Sequence, residues 1–294
     1  MGAGTQIGVA VTTVGRWDAL RNLLGDLAAQ SIPPRAVAIA QHNPDASAEL
    51  DAVIAPFTDR LDIRTAVSPR GISNGRNAAA EKLGEDVDWL WFPNDNSRVA
   101  PDFIEKVSAH CVDPTTVCAV KLVDREGPRT SLPAPGSPLT RRNVWGAIEA
   151  AMFFRRTAFE AVGAFDRGIG SGADTPWQSG EGTDLILRLA ERDDFSIVWV
   201  DDIVIEAEVE FGHLTPEEQR RKLRRYGRGA GNILRRWHYP LWYKAAFLLA
   251  AALKPIRERD KFGVPEAWSL LVGRTEGLVG RTFTRDTDYR AVLR

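Results

Sequence analysis

The chain has 294 residues, 44% of them hydrophobic and 26% charged, enough to bury a large core in one large domain or two smaller ones. Thirty-eight basic residues against 39 acidic ones leave a formal charge of -1, so the molecule lacks the polycationic character of a nucleic-acid binder. Its two cysteines, Cys111 and Cys118, fit neither a disulfide framework nor a metal-binding pattern, which predicts inert thiols in a reducing cytoplasm. The opening MGAGTQIGVAV has no basic leader, and Gln6 stands where a myristoylation signal would want Ser or Thr, so no N-terminal export or lipid signal is expected.

Along the chain, Ile7 to Thr13 reads as a β-rich strand. Trp17 to Gln30 follows with Leu20, Leu23, Leu24 and Leu27 at helical spacing, ending at Pro33-Pro34. Ala36 to Ala40 is a second strand, followed by the turn-rich QHNPDAS and a helical pattern through Leu50, Val53 and Ile54. Ile63 to Val67 is a third strand, Gly71 to Leu83 a loop and an Ala-rich helix, and Val87 to Phe92 a fourth strand. Repeated βα units predict an α/β fold with a mostly parallel sheet covered by helices. The fourth strand ends in Asn94-Asp95-Asn96, before a helix opening near Pro101. Ligands of open α/β sheets bind outside the carboxyl ends of the strands. A carboxylate flanked by carboxamides there suits a hard cation carrying phosphate oxygens; an ordinary Asn/Asp turn is the bland alternative.

After the helix Phe103 to Cys111, Val117 to Val123 reads as a strand, and EGPRTSLPAPGSPLTRRN is a connection long enough to predict a mobile loop over a binding site. Ile148 to Phe154 is apolar, Ala158 to Val162 a short helix, and GIGSGADTPWQSGEG leads into a helical run to Arg192. Ile197 to Val200 and Ile203 to Ile205 are short strands. From Pro216 the composition turns helical, which places a boundary near Phe211.

Four ordered segments between about Gly8 and His213 resemble the family 2 glycosyltransferases: VAVTTVGRWDALRNLLGDLAAQS, then SPRGISNGRNAAAE, then FPNDNSRVAPDFIEKV, then FFRRTAFEAVGAFD with SGEGTDLILRL. The resemblance implies a GT-A catalytic domain over residues 1–211, with a donor half to about 112 and an acceptor half from 113, followed by a helical extension over 212–294. It implies an inverting transfer of a sugar from a nucleotide-sugar to a hydroxyl of a lipid-linked or polysaccharide acceptor. Carried onto this chain, Thr12, Thr13, Arg16, Asn43, Asp45, Arg70, Arg76, Asn94 and Asp95 would hold the donor. Asp95, Asn96 and His213 would hold Mg²⁺ or Mn²⁺, Trp177, Ser179 and Gly180 would meet the acceptor, and Glu181 or Asp184 would be the base.

The residue chemistry agrees with those roles. Cleaving a sugar from a diphosphate requires neutralising the leaving phosphate and deprotonating the attacking hydroxyl. One or two carboxylates suffice for Mg²⁺, arginine forks match phosphate oxygens, and an indole such as Trp177 stacks on a sugar face or fills a core. The chain departs from the family's pattern in three places. Asp95 is the lone acid of its motif, Gly182 follows Glu181 where a second acid is usual, and Gln41, His42 and Asn43 follow the second strand where an Asp is common. Glu181 and Asp184 also read as simple stabilisers of a helix N-terminus.

The tail EEQRRKLRRYGRGAGNILRRW is dense in arginine and runs into HYPLWYKAAFLLAAAL, which reads as a peripheral anchor on the anionic cytoplasmic face of a membrane or as a packing or self-association element. Leu241 to Leu253 is too short to span a bilayer. GRGAGN follows a helical pattern rather than a strand, so it is not a dinucleotide fingerprint. Two other classes compete with the transferase: a nucleotide-sugar or glycan-binding module that has lost catalysis, and a nucleotidyltransferase, which lacks here a glycine-rich loop and activating Lys.

Overall fold

A computed structural model describes residues 5–209, 214–259 and 262–283. The chain divides into two compact units. The first comprises the chain up to Arg70, Asn74–Phe165 and Leu185–Val209; the second comprises Gly71–Ser73, Asp166–Asp184 and the chain from Glu210. The expected boundary near Phe211 falls on residues outside the described set. The units divide the chain differently from the expected domains, because the segment 166–184 groups with the C-terminal helices.

The first unit is an α/β sandwich on one eight-stranded sheet. Strands β1 (Ile7–Thr13), β2 (Ala36–Gln41), β3 (Ile63–Val67) and β4 (Trp89–Trp91) are followed by β5 (Val117–Asp124), β6 (Gly127–Pro128), β7 (Met152–Arg155) and β8 (Ile197–Glu206). Their order is β3-β2-β1-β4-β7-β5-β6, with β8 on β5. The four strands from the amino-terminal βα units pair in parallel, as does β8 with β5, while β7 runs antiparallel between β4 and β5. The sheet is therefore parallel through β1–β4 and mixed beyond them. The two short strands expected at 197–205 are one strand whose register on β5 shifts opposite Ala119–Lys121, leaving Asp201 and Asp202 exposed.

Strand β1, IGVAVTT, is buried along almost its whole length, as a central parallel strand covered on both faces must be. Helix α1 (Trp17–Ala28) lays Leu20, Leu23, Leu24 and Leu27 on the sheet, and α2 (Ser47–Ile54) adds Leu50 and Val53. Helices α3 (Ile72–Leu83) and α4 (Phe103–Ser108) follow β3 and β4. Below the Asn-Asp-Asn turn the core is aromatic: the Trp91 ring stacks on Phe153 at 5.3 Å and meets Phe103 at 5.0 Å, while its indole N–H donates to Ala150 O at 2.9 Å. Trp91→Ala is expected to cost about 3–5 kcal/mol, measurable by denaturant unfolding. The long connection expected to be mobile is tied down: Ser131 N donates to Gly146 O at 2.7 Å and Trp199 Nε1 to Ser137 O at 2.8 Å. Helices α5 (Arg156–Ala161) and α6 (Glu181–Leu189) complete this part of the chain.

In the second unit, α7 (Pro216–Arg236) opens with a reciprocal capping box between Thr215 and Glu218. It is followed by α8 (Leu241–Ala252), α9 (Lys254–Arg257) and α10 (Val264–Val279). Gly227 and Gly231 of GRGAGN serve helix packing, while Gly229 lies against Ser179. A Cβ at Gly231 would stand 2.4 Å from Arg274 O, and one at Gly277 would stand 2.2 Å from Arg228 O, so α7 and α10 meet backbone to backbone. That approach leaves no room for a side chain. Gly277→Ala is expected to cost at least about 1–3 kcal/mol through overpacking, seen as faster amide exchange in both helices.

Most arginines expected to face a membrane are committed inside this unit. Arg224 and Arg228 both bond Glu276, Arg220 approaches Glu266 at 3.4 Å, and Arg236 bonds Asp166 at 2.5 Å. Four of the seven arginines in this stretch are thereby engaged by carboxylates on α10 and in the segment 166–184.

Candidate functional site

The carboxyl-terminal edge of the parallel strands gathers the first unit's polar groups. Thr12, half-buried at the end of β1, bridges to Asn94 in parallel register. Thr13 donates its hydroxyl to Asp95 Oδ2 at 2.9 Å and accepts from Gly15 N, which shapes the β1–α1 turn. That turn presents Arg16, whose Nε donates to Asp95 Oδ2 at 3.2 Å while Nη2 bonds Oδ1. The carboxylate is thus held on both oxygens. Asp95 is only 1% exposed. Burial raises its pKa above the ordinary carboxylate value, against the opposing pull of Arg16 and the Thr13 hydroxyl.

The Gln at the end of the first helix supports this corner from behind. Gln30 donates to Ala100 O at 2.7 Å and accepts from Ile104 N at 2.9 Å, which pins the loop between the Asn-Asp-Asn turn and α4. Asn96 donates to Glu208 Oε2 at 3.2 Å, bringing a second, exposed carboxylate to the turn. Among the described residues no three His, Cys, Asp or Glu side chains cluster as a metal site, and His213 lies outside them. The donors at hand are one buried carboxylate, the Asn94 and Asn96 carboxamides and Glu208. That is a hard-oxygen set of the kind Mg²⁺ or Mn²⁺ accepts alongside substrate phosphates, and an arriving cation would have to take Asp95 from Arg16.

Other expected donor residues are distributed differently. Asn43 and Asp45 are exposed beyond β2, where the Asn43 side chain accepts from Asp45 N at 3.2 Å. Arg70 is half-buried after β3, its carbonyl accepting from Asn74. Arg76, expected to hold the donor, is 1% exposed: it bonds Glu149 at 2.9 Å and lies over the Phe165 ring at 5.3 Å. Its neighbour Asn77 holds Phe165 by both backbone groups, accepting from N at 3.1 Å and donating to O at 2.9 Å. The Arg-Asn pair thus anchors the Gly-Ala-Phe-Asp turn from within. The signal was in the sequence as a polar pair embedded in an alanine-rich helix.

The second unit holds the residues expected to meet the acceptor or act as base. Gly180, Glu181 and Asp184 lie where α6 begins. Glu181 is 7% exposed, and its carboxyl lies against Gly170, where a Cβ would come within 3.2 Å of Glu181 Cδ and 2.7 Å of Ile72 Cγ2. Gly170 also has φ 114°, so this turn needs glycine for both shape and space. The loop is knitted by Gln178, which donates to Ala173 O and Thr175 O and accepts from Gly172 N. Ser73 adds a bond to Ile169 O at 2.6 Å. Both were missed by sequence reasoning, since nothing local marks a glutamine that closes its own loop.

Asp184 is fully buried: Trp237 Nε1 donates to it at 3.1 Å and Arg236 Nε lies at 3.5 Å. Ser179 donates to Tyr226 O at 2.9 Å. Trp177 lines an open groove of about 330 Å³ with Thr175, Asn232, Arg235 and Arg236, and the Arg235 guanidinium lies 5.7 Å from its ring centre. A second groove, about 430 Å³, runs along Asp26, Arg98, Lys106 and Ile203 of the first unit. Its charges pair with one another, Arg98 with Asp26 at 2.6 Å and Lys106 with Asp102 at 2.7 Å, so few polar groups there are left to converge on a ligand.

No family model and no curated protein matches the chain. Solved structures do. Residues 1–349 of S. aureus TarS in complex with UDP-GlcNAc superpose with a TM-score of 0.56 at 13% identity, covering 95% of this chain and 93% of that one. Mannosyltransferase PcManGT from Pyrobaculum calidifontis, in complex with GDP-Man and Mn²⁺, superposes with a TM-score of 0.62 at 14% identity, covering 94% and 88%. Both neighbours are glycosyltransferases. The expected GT-A architecture, a central α/β sheet flanked by helices with helices at the C-terminal end, is the fold observed, with a sheet that is mixed rather than mostly parallel.

Proposed function

We propose that the chain is an inverting glycosyltransferase that moves a sugar from a nucleotide-sugar to a hydroxyl of a lipid-linked or polysaccharide acceptor in cell-surface glycan synthesis. The observation that carries this reading is Asp95, a carboxylate buried at the carboxyl edge of the parallel strands and held by Thr13 and Arg16 of the first βα turn. Asp95 and Asn96 would hold a divalent ion, which when bound supplies charge neutralisation to the diphosphate. Arg16, displaced from Asp95, would turn its fork to a phosphate oxygen.

Glu181 is the proposed base. It would take the proton from the acceptor hydroxyl as that oxygen bonds the anomeric carbon and the bond to the diphosphate oxygen breaks on the opposite face. Asp184 suits the role less, because Trp237 and Arg236 already engage its buried carboxylate. Trp177 and its groove would receive the acceptor sugar.

A thermal-shift series of UDP-, GDP- and dTDP-sugars with and without Mn²⁺ tests the reading, since a ligand at 100 times its Kd adds about 2.7 kcal/mol of stability. A metal-dependent shift with one nucleotide names the donor, and no shift with any of them counts against a donor site. Glu181→Gln is expected to keep that shift while lowering transfer by at least about a hundredfold. Near-normal turnover in Glu181→Gln with collapse in Asp184→Asn would move the base to Asp184. A second reading, a binding module without catalysis, is favoured by Asn94, Asn96 and Gly182 standing where acids are usual. Nucleotide-sugar binding with neither transfer nor hydrolysis would decide for it.

A further inference from the structure

We propose that the outer face of the helical run Leu241–Arg257 is a docking surface for an anionic lipid bilayer. Helix α8 carries one charged residue, Lys244, among its twelve, and a helix apolar on every side is normally covered on every side. Here only Ala251 is buried, in a small cluster with Leu223 and Leu270. Phe247 is also occupied on the inner side, with the Arg274 guanidinium 3.8 Å from its ring centre. The opposite side is bare: Trp242 is 62% exposed, Leu249 58% and Ile256 68%.

These three residues form one stripe, because the helix continues through Leu253. Leu253 N donates to Leu249 O and Arg257 N to Leu253 O, so Trp242, Ala245, Leu249, Ala252 and Ile256 follow at three- and four-residue spacing. Among the described residues no helix is long and apolar enough to cross a membrane, so a bilayer would meet this stripe side-on.

Charge selects the bilayer over a second copy of the chain. From Leu241 to Lys261 the sequence has five basic and two acidic residues. Arg257, exposed one residue past Ile256, makes no ion pair among the described residues, whereas Lys254 is held by Glu258 and Lys244 lies on the inner side, seven residues before Ala251. Self-association through the stripe would bring Arg257 against its own copy; anionic headgroups would neutralise it. Trp242 has the amphipathic ring that settles at headgroup depth. Of the anchor expected from the arginine-dense stretch together with the apolar run after it, the apolar run is the part assigned here to the bilayer. This assignment is independent of the transfer chemistry.

The test is co-sedimentation of the full chain with vesicles of phosphatidylcholine, alone or mixed with phosphatidylglycerol. Wild type is expected to bind the mixed vesicles, and less as salt shortens the screening length below about 8 Å. The triple variant W242S/L249S/I256S is expected to lose at least about tenfold in vesicle affinity, and R257E to weaken the preference for phosphatidylglycerol. All four positions lie outside the residues assigned to transfer, so nucleotide-dependent thermal shifts should be unchanged in both variants and serve as the control for folding. Wild type left in the supernatant, or a triple variant that binds like wild type, overturns the proposal. So does a wild-type dimer in light scattering that the triple variant converts to monomer, since a second copy would then cover the stripe.

Discussion

Glu276→Ala is expected to unfold or loosen the second unit, at a cost of about 3–5 kcal/mol, the range for breaking a buried ion pair from one side. Glu276 is fully buried on α10, with Arg224 Nε at 3.1 Å and Arg228 Nε at 3.0 Å, and Arg228 is itself fully buried. Removing the carboxylate strands a guanidinium in a helix interface whose glycines allow no relaxation. Amide exchange of α7 and α10 is the measurement, because a global melting point would mix the two units; protection equal to wild type would show the triad contributes little. Burial raises the Glu276 pKa, but the bonds from Arg224 and Phe283 N and the charge of Arg228 outweigh it, leaving the group below its ordinary 4.5. A depressed carboxylate contributes stability above its unfolded pKa and loses it as pH falls through the folded one. Protection of α7 and α10 should therefore be constant near neutrality and fall below about pH 4.5 in wild type, a dependence Glu276→Gln should lack.

Asp95→Ala is expected to weaken metal-dependent nucleotide binding by about a hundredfold or more, beyond the 10- to 100-fold typical of losing an outer-shell partner. It also carries a stability cost, because Asp95 is buried and its removal leaves the Thr13 hydroxyl without its acceptor, about 1–3 kcal/mol for an unsatisfied buried group. Arg16, whose side chain is 47% exposed, can turn to water. Asp95→Asn should retain the Thr13 bond and most of the stability while still losing the metal dependence, which separates the two effects. Calorimetric titration of UDP and GDP with Mn²⁺ reads both variants, and unchanged affinity would remove Asp95 from the ligand set.

The two results bear on different kinds of legibility. Asp95 was found from sequence because an apolar run ending in polar residues is a local pattern, and the parallel sheet carries such ends to one edge. Its burial was not found. That depends on Thr13 and Arg16, some 80 residues earlier, folding over it. Arg76 and Asp184 went the same way: each sat in a motif-like segment and read as available, yet Glu149 in one case and Trp237 with Arg236 in the other hold them inside.

What the sequence by itself determined is the part governed by short-range periodicity: the leucine spacing of α1, the strand run of β1 and the βα alternation through β4. Period and chain direction are enough there, since a strand or an amphipathic helix is chosen by neighbours within a few residues. The tertiary structure decided which charges are spent. The arginines of α7 looked like a basic surface because their counter-ion, Glu276, lies 48 and 52 residues away. The glycines that let the two helices approach have no local signature distinguishing them from a loop. Compensation of a charge and close approach of two backbones are properties of pairs distant in sequence, so they became visible only when the chain was folded.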